Sequence, residues 1–73
     1  MLVKFTNSAE NLIGMPLWIE TNNIMSIFES SRDNGSLITC IYGVSRDTWF
    51  VEEGLLEVVK LIKKANENSK SVN

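Results

Sequence analysis

The sequence predicts an α+β domain: an antiparallel β-meander of about five short strands, followed by one C-terminal α-helix packed on one face of the sheet. Three observations support this. Short apolar runs with strand-like alternation fill residues 2–51, and turn residues separate them. Asn34-Gly35 is a strong hairpin signal, because both residues tolerate a positive φ. From residue 54 onward the apolar spacing changes from a period of two to a period of 3.6.

Turn chemistry divides the first two thirds of the chain into strands. Pro16 suits the first position of a strand, where its missing N–H breaks no ladder bond. The fourth strand is rich in β-branched and aromatic residues, which favour strands. The predicted strands span residues 2–6, 16–20, 24–30, 37–42 and 48–51. Their closeness in sequence favours antiparallel pairing between neighbours, with the helix covering one face as a second layer.

A helix over residues 54–66 is predicted by one apolar stripe with matching end signals. Gly54 is an acceptable N-cap, and Glu57 at the third helical position can reach back to that cap. The apolar stripe consists of Leu55, Val58, Val59, Ile62 and Ala65. Residues 1–66 are therefore predicted to form a single small domain, and the polar residues 67–73 a flexible tail.

The residue inventory argues against an enzyme. The chain has 73 residues, a net charge of −2, one cysteine and no histidine. Without histidine there is no Cys–His pair, and Cys40 within an apolar strand is expected to be a small buried hydrophobe. Glu52 and Glu53 are explained by the favourable effect of acidic charge at a helix N-terminus. We expect no catalytic residue, no metal, no cofactor and no small-molecule substrate.

The N-terminal residues and the lengths of the apolar runs predict where in the cell the protein lies. Residues 1–7 show no basic stretch followed by an apolar run, so no signal peptide is predicted. No apolar run approaches the roughly 18–20 residues that cross a membrane. A lone cysteine fits a reducing compartment. The sequence therefore predicts a cytoplasmic protein without membrane insertion.

Large apolar side chains occur on both alternating faces of the predicted strands, although one helix covers only one face. The uncovered face predicts a homo-oligomer or a protein partner, because aromatic residues and methionine are enriched at interfaces. The predicted interface residues are Trp18, Met25, Phe28, Tyr42 and Trp49. Alternatively, the connection over residues 7–15 folds back over this face through Leu12, Ile13 and Met15.

Lysines near the end of the helix allow a second hypothesis. Lys60, Lys63 and Lys64 form a small basic patch that could make electrostatic contact with nucleic acid, as in a transcriptional regulator. The simpler interpretation is a solvated helix face with favourable dipole placement. The slightly acidic chain and the absence of aromatic residues between the lysines make nucleic acid the weaker hypothesis.

The order of these signals resembles small bacterial proteins of the FlbD/SwrD type and similar short bacteriophage proteins, over about residues 2–65. The residues that carry the resemblance are Leu17-Trp18-Ile19, Asn22-Asn23-Ile24, the Asn-Gly hairpin, Leu37-Ile38-Thr39, Gly43 and Phe50-Val51-Glu52-Glu53. This chain has Gly54 where that family usually has a serine cap. The resemblance implies a non-enzymatic accessory protein of the flagellar system or of a phage. A phage-encoded inhibitor of a host protein is a further alternative.

Overall fold

Five antiparallel strands and one C-terminal helix make up the fold, so the predicted α+β class is confirmed. The computed structural model describes residues 1–71, with side chains as far as Glu67. The elements are β1 (Leu2–Thr6), β2 (Pro16–Glu20), a 3₁₀ turn (Thr21–Asn23), β3 (Ile24–Ser31), β4 (Leu37–Gly43), β5 (Thr48–Val51) and α1 (Leu55–Ser71). The predicted hairpin lies between β3 and β4, where Gly35 adopts a φ of +86°.

The strands divide into two sheets rather than one. One sheet has the order β1-β2 and the other β3-β4-β5, with the 3₁₀ turn separating β2 from β3. The end of β1 joins them through an isolated bridge between Asn7 and Val51. The Ser8 N–H donates to the Phe50 carbonyl, and the Glu52 N–H to the Thr6 carbonyl, both at 2.8 Å. Since these contacts join residues more than 40 positions apart, local sequence patterns give no indication of them.

The core lies between the inner faces of the two sheets and the helix. Its central side chains, Phe5, Ile41 and Val58, are each 0% exposed and come from β1, β4 and α1. The other buried members of the core are Val3, Ile19, Val51 and Ala65. Three different elements therefore contribute to one apolar cluster, as a two-layer domain requires.

The helix begins where the sequence predicts. The Val58 N–H donates to the Gly54 carbonyl at 2.9 Å, which places Gly54 at the cap position. Val58 and Ala65 of the predicted stripe are buried, whereas Val59 is 38% exposed at the margin of that stripe.

The helix ends later than predicted, since it continues to Ser71. Residues 72 and 73 lie outside the described residues. The flexible tail over 67–73 therefore stays a prediction.

Glu53 connects the start of the helix to β1. Its carboxylate accepts hydrogen bonds from the Thr6 N–H at 2.9 Å and from the Thr6 hydroxyl at 2.9 Å. Glu52, the preceding residue, is exposed. The two adjacent carboxylates therefore differ in role, and Glu53 helps to hold the two sheets together at the point where β1 meets the end of β5.

Candidate protein-interaction surface

The sheet β3-β4-β5 has two unlike faces, because successive residues of a strand point to opposite sides. Ile27, Ile41 and Trp49 lie opposite one another on the face that meets the core. Their chain neighbours Phe28, Cys40 and Phe50 lie opposite one another on the other side. We call this second side the outer face; it consists of Phe28, Ile38, Cys40, Tyr42 and Phe50.

Aromatic rings dominate the outer face and remain partly open to solvent. Phe28, Tyr42 and Phe50 are 37%, 40% and 37% exposed. Phe28 and Tyr42 are in an edge-to-face arrangement with ring centroids 5.0 Å apart, a geometry that stabilises aromatic pairs. A sheet face with three partly exposed aromatic side chains is the kind of apolar patch that marks an interaction site.

Cys40 lies in the middle of the outer face but is only 2% exposed. Phe28 and Phe50 occupy the register positions on either side of it, on β3 and β5. Burial raises the pKa of the Cys40 thiol, which disfavours the thiolate that a nucleophile needs. Cys40 is thus a small buried apolar residue, as the sequence predicts.

Three of the five predicted interface residues come together. Phe28 and Tyr42 lie on the outer face, and Met25, 66% exposed, lines with Tyr42 a surface depression of about 280 Å³. Trp18 is 59% exposed but belongs to the other sheet, where it pairs with Lys4. It therefore lies outside the outer face.

The expectation for Trp49 is corrected by the structure. Trp49 packs against the core, and a Cβ added at Gly43 would lie 2.8 Å from its ring. Phe50, which was not predicted, takes the outward position on β5. The signal was ambiguous because Trp49 and Phe50 are adjacent and apolar, and a shift of one residue exchanges their faces.

The connection over residues 7–15 does not supply the alternative cover. Leu12, Ile13 and Met15 are themselves 46%, 60% and 54% exposed. The connection is held instead through Ser8, which is 1% exposed and whose hydroxyl accepts a hydrogen bond from the Arg32 guanidinium. This contact ties the connection to Arg32 at the β3–β4 hairpin, and Phe28, Tyr42 and Phe50 remain partly exposed.

The lysines of the second hypothesis are all exposed on α1. Lys60, Lys63 and Lys64 share the helix with Glu57 and Glu67, which are also exposed. The helix surface therefore carries charges of both signs.

Among the described residues no group of three or more metal-ligating side chains comes together. No helix within that part of the chain is long and apolar enough to cross a membrane.

No family model, no curated protein and no solved structure matches the chain. The resemblance to proteins of the FlbD/SwrD type therefore rests on the sequence pattern alone.

Proposed function

We propose that this protein is a small non-enzymatic interaction protein that self-associates through a surface centred on the outer face. The observation that carries the proposal is the group of partly exposed rings of Phe28, Tyr42 and Phe50 on one sheet face. Removing such rings from water on association is favourable, at about 25 cal/mol per Å² of apolar surface. Aromatic side chains also lose little conformational entropy on binding, because they have only two side-chain torsions.

A second copy is the occupant we favour. Most soluble oligomers are symmetric and built from one chain, and a domain of this size gains much from added burial. The outer face bears no charged side chain, so two copies can meet there without like-charge repulsion. Such an association needs no histidine, reactive thiol or bound ion.

The non-enzymatic part of the proposal is supported by the chemistry of the side chains. Cys40 is buried with a raised pKa, and the chain has no histidine to activate it. A nucleophile needs an adjacent base or a depressed pKa, and Cys40 has neither. The sequence resemblance suggests a flagellar or phage setting, and the three helix lysines suggest nucleic-acid binding. No contact within the described structure supports either hypothesis.

The test is the mass in solution across a concentration series, measured by light scattering for the parent chain and two variants. Phe28→Ser removes a ring from the outer face, and Trp18→Ser is the control because Trp18 is exposed on the other sheet. We expect the parent and Trp18→Ser to self-associate alike. Phe28→Ser should self-associate at least about tenfold more weakly, the effect of losing about 1.4 kcal/mol.

Two outcomes would contradict the proposal. If the parent chain stays monomeric at high micromolar concentration, the proposal that it self-associates is wrong. If Phe28→Ser and Trp18→Ser weaken self-association equally, the outer face is not the site of association. Circular dichroism of each variant establishes that a lower molecular mass in solution does not result from unfolding.

A further inference from the structure

Strand β3 ends the three-stranded sheet and has one free edge. The Arg32 N–H donates to the Ser36 carbonyl at 2.8 Å, and hydrogen-bonded pairs recur at every second residue of an antiparallel ladder. Ser26, Phe28 and Ser30 therefore bond to β4, whereas the main-chain groups of Ile27, Glu29 and Ser31 point away from it. No hydrogen bond joins these outward groups to any residue among 1–67, the part of the chain whose side chains are described.

The edge strand of the other sheet, β2, is protected in ways that β3 is not. β2 has five residues, begins with Pro16, and ends at Glu20, whose carboxylate pairs with the Met1 ammonium group. Short length, proline and edge charges are the devices that stop a strand from pairing with another chain. β3 has eight residues with no proline and no lysine, and its only charged side chain is Glu29. β3 is therefore the edge that can accept a further strand.

The residues of β3 also restrict how a second copy can pair with it. A two-fold axis at Glu29 would place two carboxylates opposite each other, which is destabilising. An axis at Ile27 would extend the pairing to the segment between Ile24 and Ser26, where the β3–β4 register shifts. An axis at Phe28 pairs Ile27 of each copy with Glu29 of the other, and the outward main-chain groups of both strands then meet.

We propose that two copies pair their β3 strands antiparallel about a two-fold axis at Phe28, so that β5-β4-β3 of each copy forms half of one six-stranded sheet. This inference rests on the proposed self-association and places its main contact at the β3 edge. The two outer faces then lie side by side as one continuous face, on which Phe28 of each copy meets its counterpart while Phe50, on β5, lies away from the contact. The two Phe28 side chains become cross-strand neighbours about 5 Å apart at Cβ. Because Phe28 already contacts Tyr42, four rings then form one row along the joined outer faces.

The helix side of β3 contributes a further apolar contact. Leu56 is 77% exposed and lines a surface depression together with Glu29. A strand added beside Glu29 lies next to this depression. Leu56 would then lose part of its exposure, which favours the pairing on the face opposite to the aromatic row.

Site-specific cross-linking tests the register. In a chain with Cys40→Ala, which removes its own thiol, Ser26→Cys and Ser30→Cys are made separately. In the proposed register residue 26 of one copy lies opposite residue 30 of the other, within the roughly 4.4–6.8 Å between Cα atoms that a disulfide needs. Two copies of residue 26 lie about 14 Å apart, because each residue advances a strand by about 3.4 Å.

Mixing the two variants under mild oxidation should therefore give a cross-linked dimer on a non-reducing gel, and each variant alone should stay uncross-linked. Cross-linking of one variant alone, or none in a mixture that light scattering shows to be dimeric, overturns the β3 pairing but leaves the proposed self-association intact. A parent chain that is monomeric overturns both.

Proline at the free edge is an independent test. Glu29→Pro removes an N–H that has no partner within the described chain but would donate to the second copy, and Glu29→Ala keeps that N–H. We expect Glu29→Pro to weaken self-association at least about tenfold and Glu29→Ala by less than about threefold. Equal behaviour of these variants contradicts the proposal.

If Glu29→Pro does not fold, amide hydrogen exchange of the unmodified chain tests whether β3 pairs with a second copy. Exchange at Ile27, Glu29 and Ser31 should slow as the concentration rises through the association range. Unchanged exchange at these three amides in a dimeric sample contradicts the proposal.

Discussion

The two faces of the sheet β3-β4-β5 are made of similar residues but are covered differently. Ile41 and Tyr42 are neighbours on β4, yet Ile41 is 0% exposed and Tyr42 is 40% exposed. The inner face meets β1, β2 and α1, whereas the outer face meets no second layer among the described residues. A chain of this length has enough secondary structure to cover one face of a sheet, and apolar residues on the other face are available for association.

This difference separates two kinds of effect. Substitutions on the inner face should change the free energy of unfolding of the single chain. Substitutions on the outer face should mainly change how the measured stability depends on protein concentration, because association stabilises the folded state by mass action.

Ile41→Ala is expected to be the most destabilising of these changes. Ile41 is 0% exposed at the centre of the core, and truncating a buried isoleucine to alanine costs about 2–5 kcal/mol. Urea unfolding measures this cost. Cys40→Ala, on the opposite face of the same strand, is the control and should cost less. A larger cost for Cys40→Ala would mean that the outer face is the better packed of the two.

Glu53→Ala should have the next largest effect, because it removes the carboxylate that accepts hydrogen bonds from the Thr6 N–H and hydroxyl. A hydrogen bond to a charged group contributes about 1.5–3 kcal/mol, so a loss of about that size is expected in urea unfolding. The neighbouring change Glu52→Ala affects an exposed side chain and should stay within about 0.5 kcal/mol. Equal effects would contradict a structural role for Glu53 at the junction of the sheets.

Phe28→Ala tests the outer face through the concentration dependence of the melting temperature. In dilute solution the loss should be modest, because Phe28 is already 37% exposed and its pairing with Tyr42 contributes about 0.5–1.5 kcal/mol. The parent should melt at a higher temperature as its concentration rises, and Phe28→Ala should lose most of that increase. A Phe28→Ala chain that keeps the full increase would place the association elsewhere.

The smallest effect concerns pH and the protected edge at β2. The hydrogen bond from the Met1 ammonium group lowers the pKa of Glu20 below its ordinary value. A lowered folded-state pKa stabilises the fold at pH above the unfolded-state pKa, and this contribution is lost as the pH falls through the folded-state pKa. Thermal melts should therefore show slightly more acid sensitivity between about pH 5 and pH 3 for the parent than for Glu20→Gln. Identical acid sensitivity would show that the pair of Met1 and Glu20 does not stabilise the fold.

Much of the fold follows from local chemistry. Three strands have the predicted bounds, residues 2–6, 16–20 and 48–51, because proline, glycine and asparagine mark where extended runs stop. The helix starts at Leu55 after Gly54, where the apolar period changes. The helix continues past its predicted end at residue 66, to Ser71, since polar residues after Ala65 are compatible with both a helix and a tail.

The candidate surface was only partly predictable. Phe28 and Tyr42 are two of the predicted interface residues, and they are in contact across β3 and β4. Trp49 is a predicted interface residue but packs against the core, and Phe50, which is not among the predicted residues, lies on the outer face. Two adjacent apolar residues fit either phase of the strand equally well. The free edge of β3 is not a sequence signal, since it depends on which strands pair.

By itself the sequence determined the α+β class, the turns, the start of the helix and an excess of apolar residues over what one helix covers. These depend on the local conformational preferences of each residue and on short-range periodicity. Only the tertiary structure decided that β1 joins the two sheets through Asn7 and Val51, that Trp49 points inward, and that β3 keeps an open edge. Those features depend on contacts between residues far apart in the chain, where the packing of the whole core selects one register among several that the local pattern permits.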